Sequence, residues 1–233
     1  MPNGAGTVSA SSSGAQPSSG AYREITFTTE DGLVLSGHLF GSGDAGIVLA
    51  HMYPADQTSW HDTAQRLAQQ GYLALTFDFR GYGKSEGSKD IRWLDRDVSA
   101  AIGAVAEAGA ARVLLVGASM GGTACLVAAD TAQISSRVVL SGVATLSAPV
   151  EFKGLSAVEA VPKLQMPLLF IAAEDDAGAG GAGELRGLSG GAGELQIVPG
   201  DDHGTDLLEG AQADRVWELL LGFIDRNLPL SAR

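Results

Sequence analysis

The stretch "VLLVGASMGGTAC", Val113 to Cys125, sets a single serine, Ser119, among small residues at the end of an apolar run. Gly117 and Gly121 stand two residues to either side of it. A strand that turns sharply into a helix pushes such a side chain up toward solvent. Glycines at those two places remove the Cβ atoms that would crowd the turn. The same turn aims the amide of Met120 outward at a helix N-terminus, where partial positive charge favours an anion. These are the requirements of an oxygen nucleophile beside an oxyanion site. A hydroxyl attacks a carbonyl only with help from a base, and the base needs an acid to orient it. Of the four histidines, His38 lies in an alternating segment, His51 ends an apolar run ahead of the serine, and His61 opens a helical one. Only His203, in "VPGDDHGTDL", follows the last strand-like run, where a loop can swing an imidazole onto Ser119. The acid belongs between serine and histidine in chain order, and "LLFIAAEDDAG" supplies Glu174, Asp175 and Asp176 there. Each signal also has a bland reading, as a turn serine or as a solvated acidic loop. Their joint placement favours acyl-transfer chemistry.

Those residues need a scaffold, and the hydrophobic pattern describes one. "REITFTTEDGLVLSGHLF" alternates as two strands joined near Asp31-Gly32, a dipeptide suited to a hairpin turn. "GIVLAH", "YLALTFDF", "RVLLVG", "RVVLSG", "PLLFIAA" and "ELQIV" are short apolar runs of the kind buried on both faces of a parallel sheet. Helical spacing separates them: Trp60, Ala64, Leu67 and Ala68 before Gly71, then Ile91 to Ala108, then "MGGTACLVAADTA", and finally Val216, Leu219, Leu220 and Phe223. Strands alternating with helices after an opening antiparallel hairpin predict an α/β fold. It has a mostly parallel sheet of about eight strands with helices on both faces. Two segments fit less well: Ala144 to Lys153 reads as irregular and is expected to overhang the site, and the glycines of Ala177 to Leu195 limit any helix to a short one around Glu184 to Leu188. A short helix is expected near Leu155 to Leu164.

Composition narrows the partners. Residues 1–21 are Gly, Ser, Ala and Pro with almost nothing to bury, so they read as a flexible leader ahead of a single domain over residues 22–233. The net charge of −12, without a Lys or Arg cluster, argues against nucleic acid and anionic membrane surfaces as partners. No run reaches the ~18 uninterrupted apolar residues of a membrane span. The lone Cys125 forms no internal disulfide or multi-cysteine metal site, and its place on an apolar helix face points to packing. The leader has neither the charged start nor the apolar core of a secretory signal, so cytoplasmic and exported, tethered locations both stand open, as does oligomeric state.

With these motifs in order, the sequence resembles the α/β-hydrolase superfamily from about Ile25 onward. "GASMGG" looks like the nucleophile elbow, which implies Ser119 as nucleophile and the Met120 amide as one oxyanion donor. "LAHMYPADQTSW" resembles the oxyanion segment after the third strand. The frame gives the second donor as the amide of Tyr53, with Met52 as the alternative, and leaves His51 to brace the loop. "FDFRGYGKSEG" is similar to the loop after the fourth strand in many bacterial members, and "PGDDHG" matches the histidine loop. "PLLFIAAEDD" looks like the acid strand and implies Asp176 as the acid, with Asp175 as fallback. Two positions depart from the pattern. Met52 replaces a glycine and crowds the oxyanion loop, and Ala173 replaces another.

The resemblance implies a catalytic triad of Ser119, Asp176 and His203 with no metal or organic cofactor. About 25 residues separate "RVVLSG" from "PLLFIAA", which leaves no room for a separate cap domain. An open site suits a small-molecule ester, and the small core is similar to dienelactone-hydrolase-like and acyl-peptidase-like members. The expected function is a carboxylesterase for short acyl groups. A thioesterase, an acyl or aminoacyl peptidase, and a non-catalytic binding protein of the same fold are the alternatives.

Overall fold

The computed structural model describes residues 22–135, 138–191 and 193–231; the leader read over residues 1–21 lies outside the described residues. The chain opens with β1 (Tyr22–Thr28) and β2 (Val34–Phe40), which pair antiparallel from Tyr22 opposite Phe40 to Thr28 opposite Val34. Gly32 takes φ 87° in the connecting turn. The alternation of elements follows the apolar runs: β3 (Ala45–Ala50), α1 (His61–Gln70), β4 (Leu73–Phe77), α2 (Leu94–Glu107), β5 (Arg112–Ala118), α3 (Met120–Ser135) and β6 (Val139–Leu146). A two-stranded hairpin of β7 (Glu151–Phe152) and β8 (Leu155–Ser156) follows. Then come β9 (Leu168–Ala173), α4 (Gly178–Leu188), β10 (Gly193–Val198) and α5 (Ala213–Asn227).

Eight strands form one sheet in the order β1-β2-β4-β3-β5-β6-β9-β10. From β4 to β10 every pairing is parallel. Helices α2, α3 and α4 cover one face, with Val98, Ala101, Cys125, Ala128, Ala182 and Leu185 in its core. Helices α1 and α5 cover the other, with Ala64, Leu67, Val216, Leu220 and Phe223. The last three are 0% exposed, and each such side chain stabilises the fold by about 1.5–3 kcal/mol. Cys125 is a fully buried packing residue, and its burial pushes the thiol's proton affinity up. This architecture is the α/β-hydrolase fold.

Three local expectations are corrected. β6 runs on through Ala144, Thr145 and Leu146, which pair with β9, so the irregular stretch begins only at Ser147. Instead of a helix from Leu155, the chain makes the β7–β8 hairpin and then a single 3-10 turn at Val161–Lys163. Lys153 and Gly154, at φ 46° and 91°, form a tight turn that returns Leu155 to pair with Phe152. Helix α4 is also longer than its glycines suggest, with eleven residues. Its Ala182 and Leu185 are buried, and packing outweighs intrinsic propensity. Between β6 and β9 stand only the hairpin and the turn, with no separate cap domain.

Candidate active site

The sheet ends bring the singled-out residues together. Ser119 is the one residue between β5 and α3, at φ 47° in the left-handed region that costs an L-residue roughly 1–2 kcal/mol. Its amide donates to the Leu146 carbonyl at 2.7 Å, tying the turn to β6. A Cβ on Gly117 would strike the backbone of Gly121 and Gly122, and one on Gly121 would strike the carbonyl oxygens of Ala50 and His51. Only glycine lets the turn fit against the end of β3. The side chain does not face solvent as the turn geometry alone suggests. Ser119 is 6% exposed, because the His203 ring lies against its hydroxyl.

His203 Nε2 lies 2.9 Å from Ser119 Oγ, and its Nδ1 lies 2.8 Å from Asp176 Oδ1. A carboxylate only accepts, so Nδ1–H donates to Asp176 and Nε2 is left to accept from the serine hydroxyl. The three acids after β9 separate cleanly: Glu174 and Asp175 are exposed, whereas the Asp176 side chain is 5% exposed. The amides of Glu174 and Asp175 donate to the carbonyls of Val198 and Gly200, which stitches the acid turn to the segment leading to His203. That segment follows β10, on the same edge of the sheet.

The Tyr53 and Met120 amides make no hydrogen bond among the described residues, and Met120 opens the sixteen-residue α3. Met52 resolves its own crowding. Its side chain turns under the histidine loop, where Thr205 Oγ1 donates weakly to its sulfur at 3.7 Å and Gly204 packs against it. His51 is fully buried. Its Nδ1–H donates to the Met52 carbonyl at 2.9 Å, and its Nε2 accepts from the Phe79 amide at 3.2 Å. Burial lowers its proton affinity, which suits a neutral brace.

Sequence reasoning passed over the clamp behind this loop. The buried Asp78 carboxylate accepts from Gln57 N at 3.0 Å, Gln57 Nε2 at 2.9 Å and Lys84 N at 3.1 Å. Arg80 forks between Asp97 and Asp31, and its hydrogen bond holds Asp31 down at about 2. "FDFR" was the available signal, since charges directly after a buried strand need partners. The Tyr53 ring leans on Phe152 at 5.9 Å with the Lys153 ammonium 3.9 Å over it. A groove of about 630 Å³ lies elsewhere, between α2 and α3 beside Ile102 and Ala132. The convergence of Ser119, His203 and Asp176, not cavity size, marks the candidate site.

Residues 41–177, more than half of the chain, match the family model described as serine aminopeptidase, S33. The chain therefore belongs to the serine aminopeptidase S33 family of α/β hydrolases. Its fold is shared with the esterase Pf2001 of Pyrococcus furiosus, at TM-score 0.74 and 19% identity over 90% of this chain and 92% of that one. A thermophilic esterase of Thermogutta terrifontis gives TM-score 0.69 and 17% identity over 88% and 99%. In sequence, 73 residues are 38% identical to polyketide transferase claH of Penicillium crustosum, covering 28% of this chain and 24% of that protein. The chain thus matches about a quarter of that relative's length.

Proposed function

We propose that the protein is a serine carboxylesterase acting on small, short-acyl esters through an acyl-enzyme. The observation that carries this reading is the hydrogen-bonded series Ser119–His203–Asp176, with spacings of 2.9 and 2.8 Å. Ser119 Oγ attacks the ester carbonyl as its proton passes to His203 Nε2. The amides of Tyr53 and Met120 hold the developing oxyanion, each worth roughly 3 kcal/mol. His203 then returns the proton to the leaving alcohol as the carbon–oxygen bond breaks. In the second half it takes a proton from water as the hydroxide oxygen attacks the acyl carbon, then passes that proton to Ser119 Oγ as the acyl–oxygen bond breaks and the acid is released. Asp176 holds the imidazole in the tautomer this requires and stabilises its charged form. The residues invoked supply every proton transfer without a metal or organic cofactor.

Short acyl groups are favoured by what surrounds the serine. Trp60, on the loop after Tyr53, is 0% exposed in the core, and Met52 is turned under the histidine loop, so neither offers an acyl chain an apolar wall. Tyr53 and Phe152 pack on each other, their ring centroids 5.9 Å apart, and make one short apolar patch. The family's own description favours a second reading, aminoacyl amide cleavage by the same groups. Fluorophosphonate labelling followed by mass spectrometry tests the shared mechanism: wild type takes up the probe on Ser119 and Ser119→Ala does not. The variant should lose at least ~10³-fold in ester turnover. Retained turnover in Ser119→Ala sinks the proposal, and parallel rates on esters, thioesters and aminoacyl amides rank the two readings.

A further inference from the structure

The hydrogen bond to His203 uses one oxygen of Asp176. The other, Oδ2, is buried and has no hydrogen-bond partner among the described residues. Leaving such an oxygen unpaired costs about 1–3 kcal/mol, so buried polar atoms in folded proteins are nearly always paired. A second unpaired atom belongs to a residue that borders the same glycine. Ser147, the residue after β6, is 0% exposed, and its Oγ also has no partner among the described residues. Both side chains border Gly178 at the start of α4. A Cβ built on Gly178 would sit 2.7 Å from Asp176 Oδ2 and 2.8 Å from both Cα and Cβ of Ser147. The missing methyl leaves the gap between them open.

Ser147 is also an odd choice for its backbone. It takes φ 55°, which favours glycine, and its amide donates to the Ile171 carbonyl at 2.8 Å on the strand leading to Asp176. A residue with a Cβ at such an angle costs of order 1–3 kcal/mol, a burden that function commonly explains. We propose that Ser147 is a positioning residue for Asp176, turning about its Cα–Cβ bond so that its hydroxyl donates to Oδ2 and holds Oδ1 on the His203 ring. One donor per carboxylate oxygen then fixes the acid's plane, and neither buried group is left unpaired. The inference rests on the proposed esterase mechanism for its kinetic consequence, although the contact itself does not.

Two variants and two readouts test it. Ser147→Gly removes the hydroxyl while relieving the left-handed backbone; Ser147→Ala removes the hydroxyl and keeps the strain. If the hydroxyl positions Asp176, both lower kcat about tenfold, the scale of one hydrogen bond to a charged group, with KM within about twofold. Both also shift or broaden the low-field proton resonance of the Asp176–His203 hydrogen bond, read by NMR without substrate. If Ser147 serves only the backbone, Ser147→Gly keeps both kcat and that resonance, and the inference is overturned. Should Ser147→Gly fold poorly, Ser147→Ala decides by the same resonance. A wild-type protein inert to fluorophosphonate would overturn the esterase reading instead, with the resonance still deciding the role of Ser147.

Discussion

Replacing Asp176 with asparagine changes one atom of a group placed 2.8 Å from the His203 ring, and the consequence can be worked from that spacing. In the proposed mechanism His203 becomes an imidazolium facing a carboxylate as Ser119 gives up its proton, with charge centres about 3–4 Å apart. At an effective dielectric of ~20 the attraction is roughly 4–5 kcal/mol. The His203 side chain is 40% exposed, so solvent screens part of this, and about 3–4 kcal/mol is a fair working value. At 1.36 kcal/mol per tenfold, Asp176→Asn should lower turnover by about 10²–10³. An amide that turns its NH₂ toward Nδ1 would force the proton onto Nε2, leaving no base, and the loss would approach ~10⁴. The assay is kcat/KM for p-nitrophenyl acetate near pH 8 on purified variants, with thermal melts to confirm folding. Glu174→Gln and Asp175→Asn, whose parent side chains are exposed, should stay within about twofold of wild type, the range expected of surface changes. An Asp176→Asn enzyme within tenfold of wild type, or a collapse in Asp175→Asn, would refute the reasoning.

Three further outcomes follow from the same geometry. Gly121→Ala should cost stability by about 1–3 kcal/mol or more and depress turnover, because its methyl meets the fixed carbonyls of Ala50 and His51; an unchanged Tm and rate would mean the elbow is looser than described. Burial lowers the proton affinity of His51, His38 and His61 in the folded state from the ordinary 6.5. Stability should therefore be full above that pH and fall as pH drops below it, with His51 alone contributing a slope of at most ~1.4 kcal/mol per pH unit. Asp31, held at about 2 first by its Arg80 hydrogen bond, adds a separate loss as pH falls from 3.8 toward 2. Urea unfolding at pH 7.5, 5.5 and 3 reads both windows, and equal stabilities across them would contradict the account. Acyl-chain dependence of kcat/KM should peak at roughly two to six carbons. Each further methylene adds ~0.8 kcal/mol only where it is buried, so a steady rise to twelve carbons would reveal a groove.

The parallel core was legible because its strands are unbroken apolar runs and its helices carry one apolar stripe. Periodicity reports burial directly. It misled where a glycine's function was steric. In α4, Gly180, Gly183 and Gly187 have open space around them, while a Cβ on Gly178 or Gly181 would meet Ser147 or the Ala148 carbonyl. The sequence shows five glycines and a weak helix; the fold uses two of them to bring that helix against the end of β6. The hairpin tip was missed for a related reason. Lys153-Gly154 is a usable two-residue turn, but the apolar residues after it, Leu155, Ala157, Val158 and Val161, mimic helical spacing.

The site divides along the same line. Ser119, His203 and the acid turn were readable because chain order and strand ends restrict where each can sit. Which of three consecutive acids faces the imidazole was not a matter of residue type, and the backbone decides it. The Glu174 and Asp175 amides are spent on the Val198 and Gly200 carbonyls, and Asp176 is the residue whose side chain enters the protein. The loop carrying Tyr53 makes the same point more strongly. Its position depends on a carboxylate after β4, Asp78, gripping Gln57, on the neutral His51 gripping the Met52 carbonyl, and on Met52 filling space beneath Gly204. None of these partners is a neighbour in sequence except His51 and Met52, so no local pattern records the arrangement. A glycine at position 52 would leave that space empty. With methionine there, the loop carrying Tyr53 and the histidine loop are packed together, and a change in either loop is felt by the other.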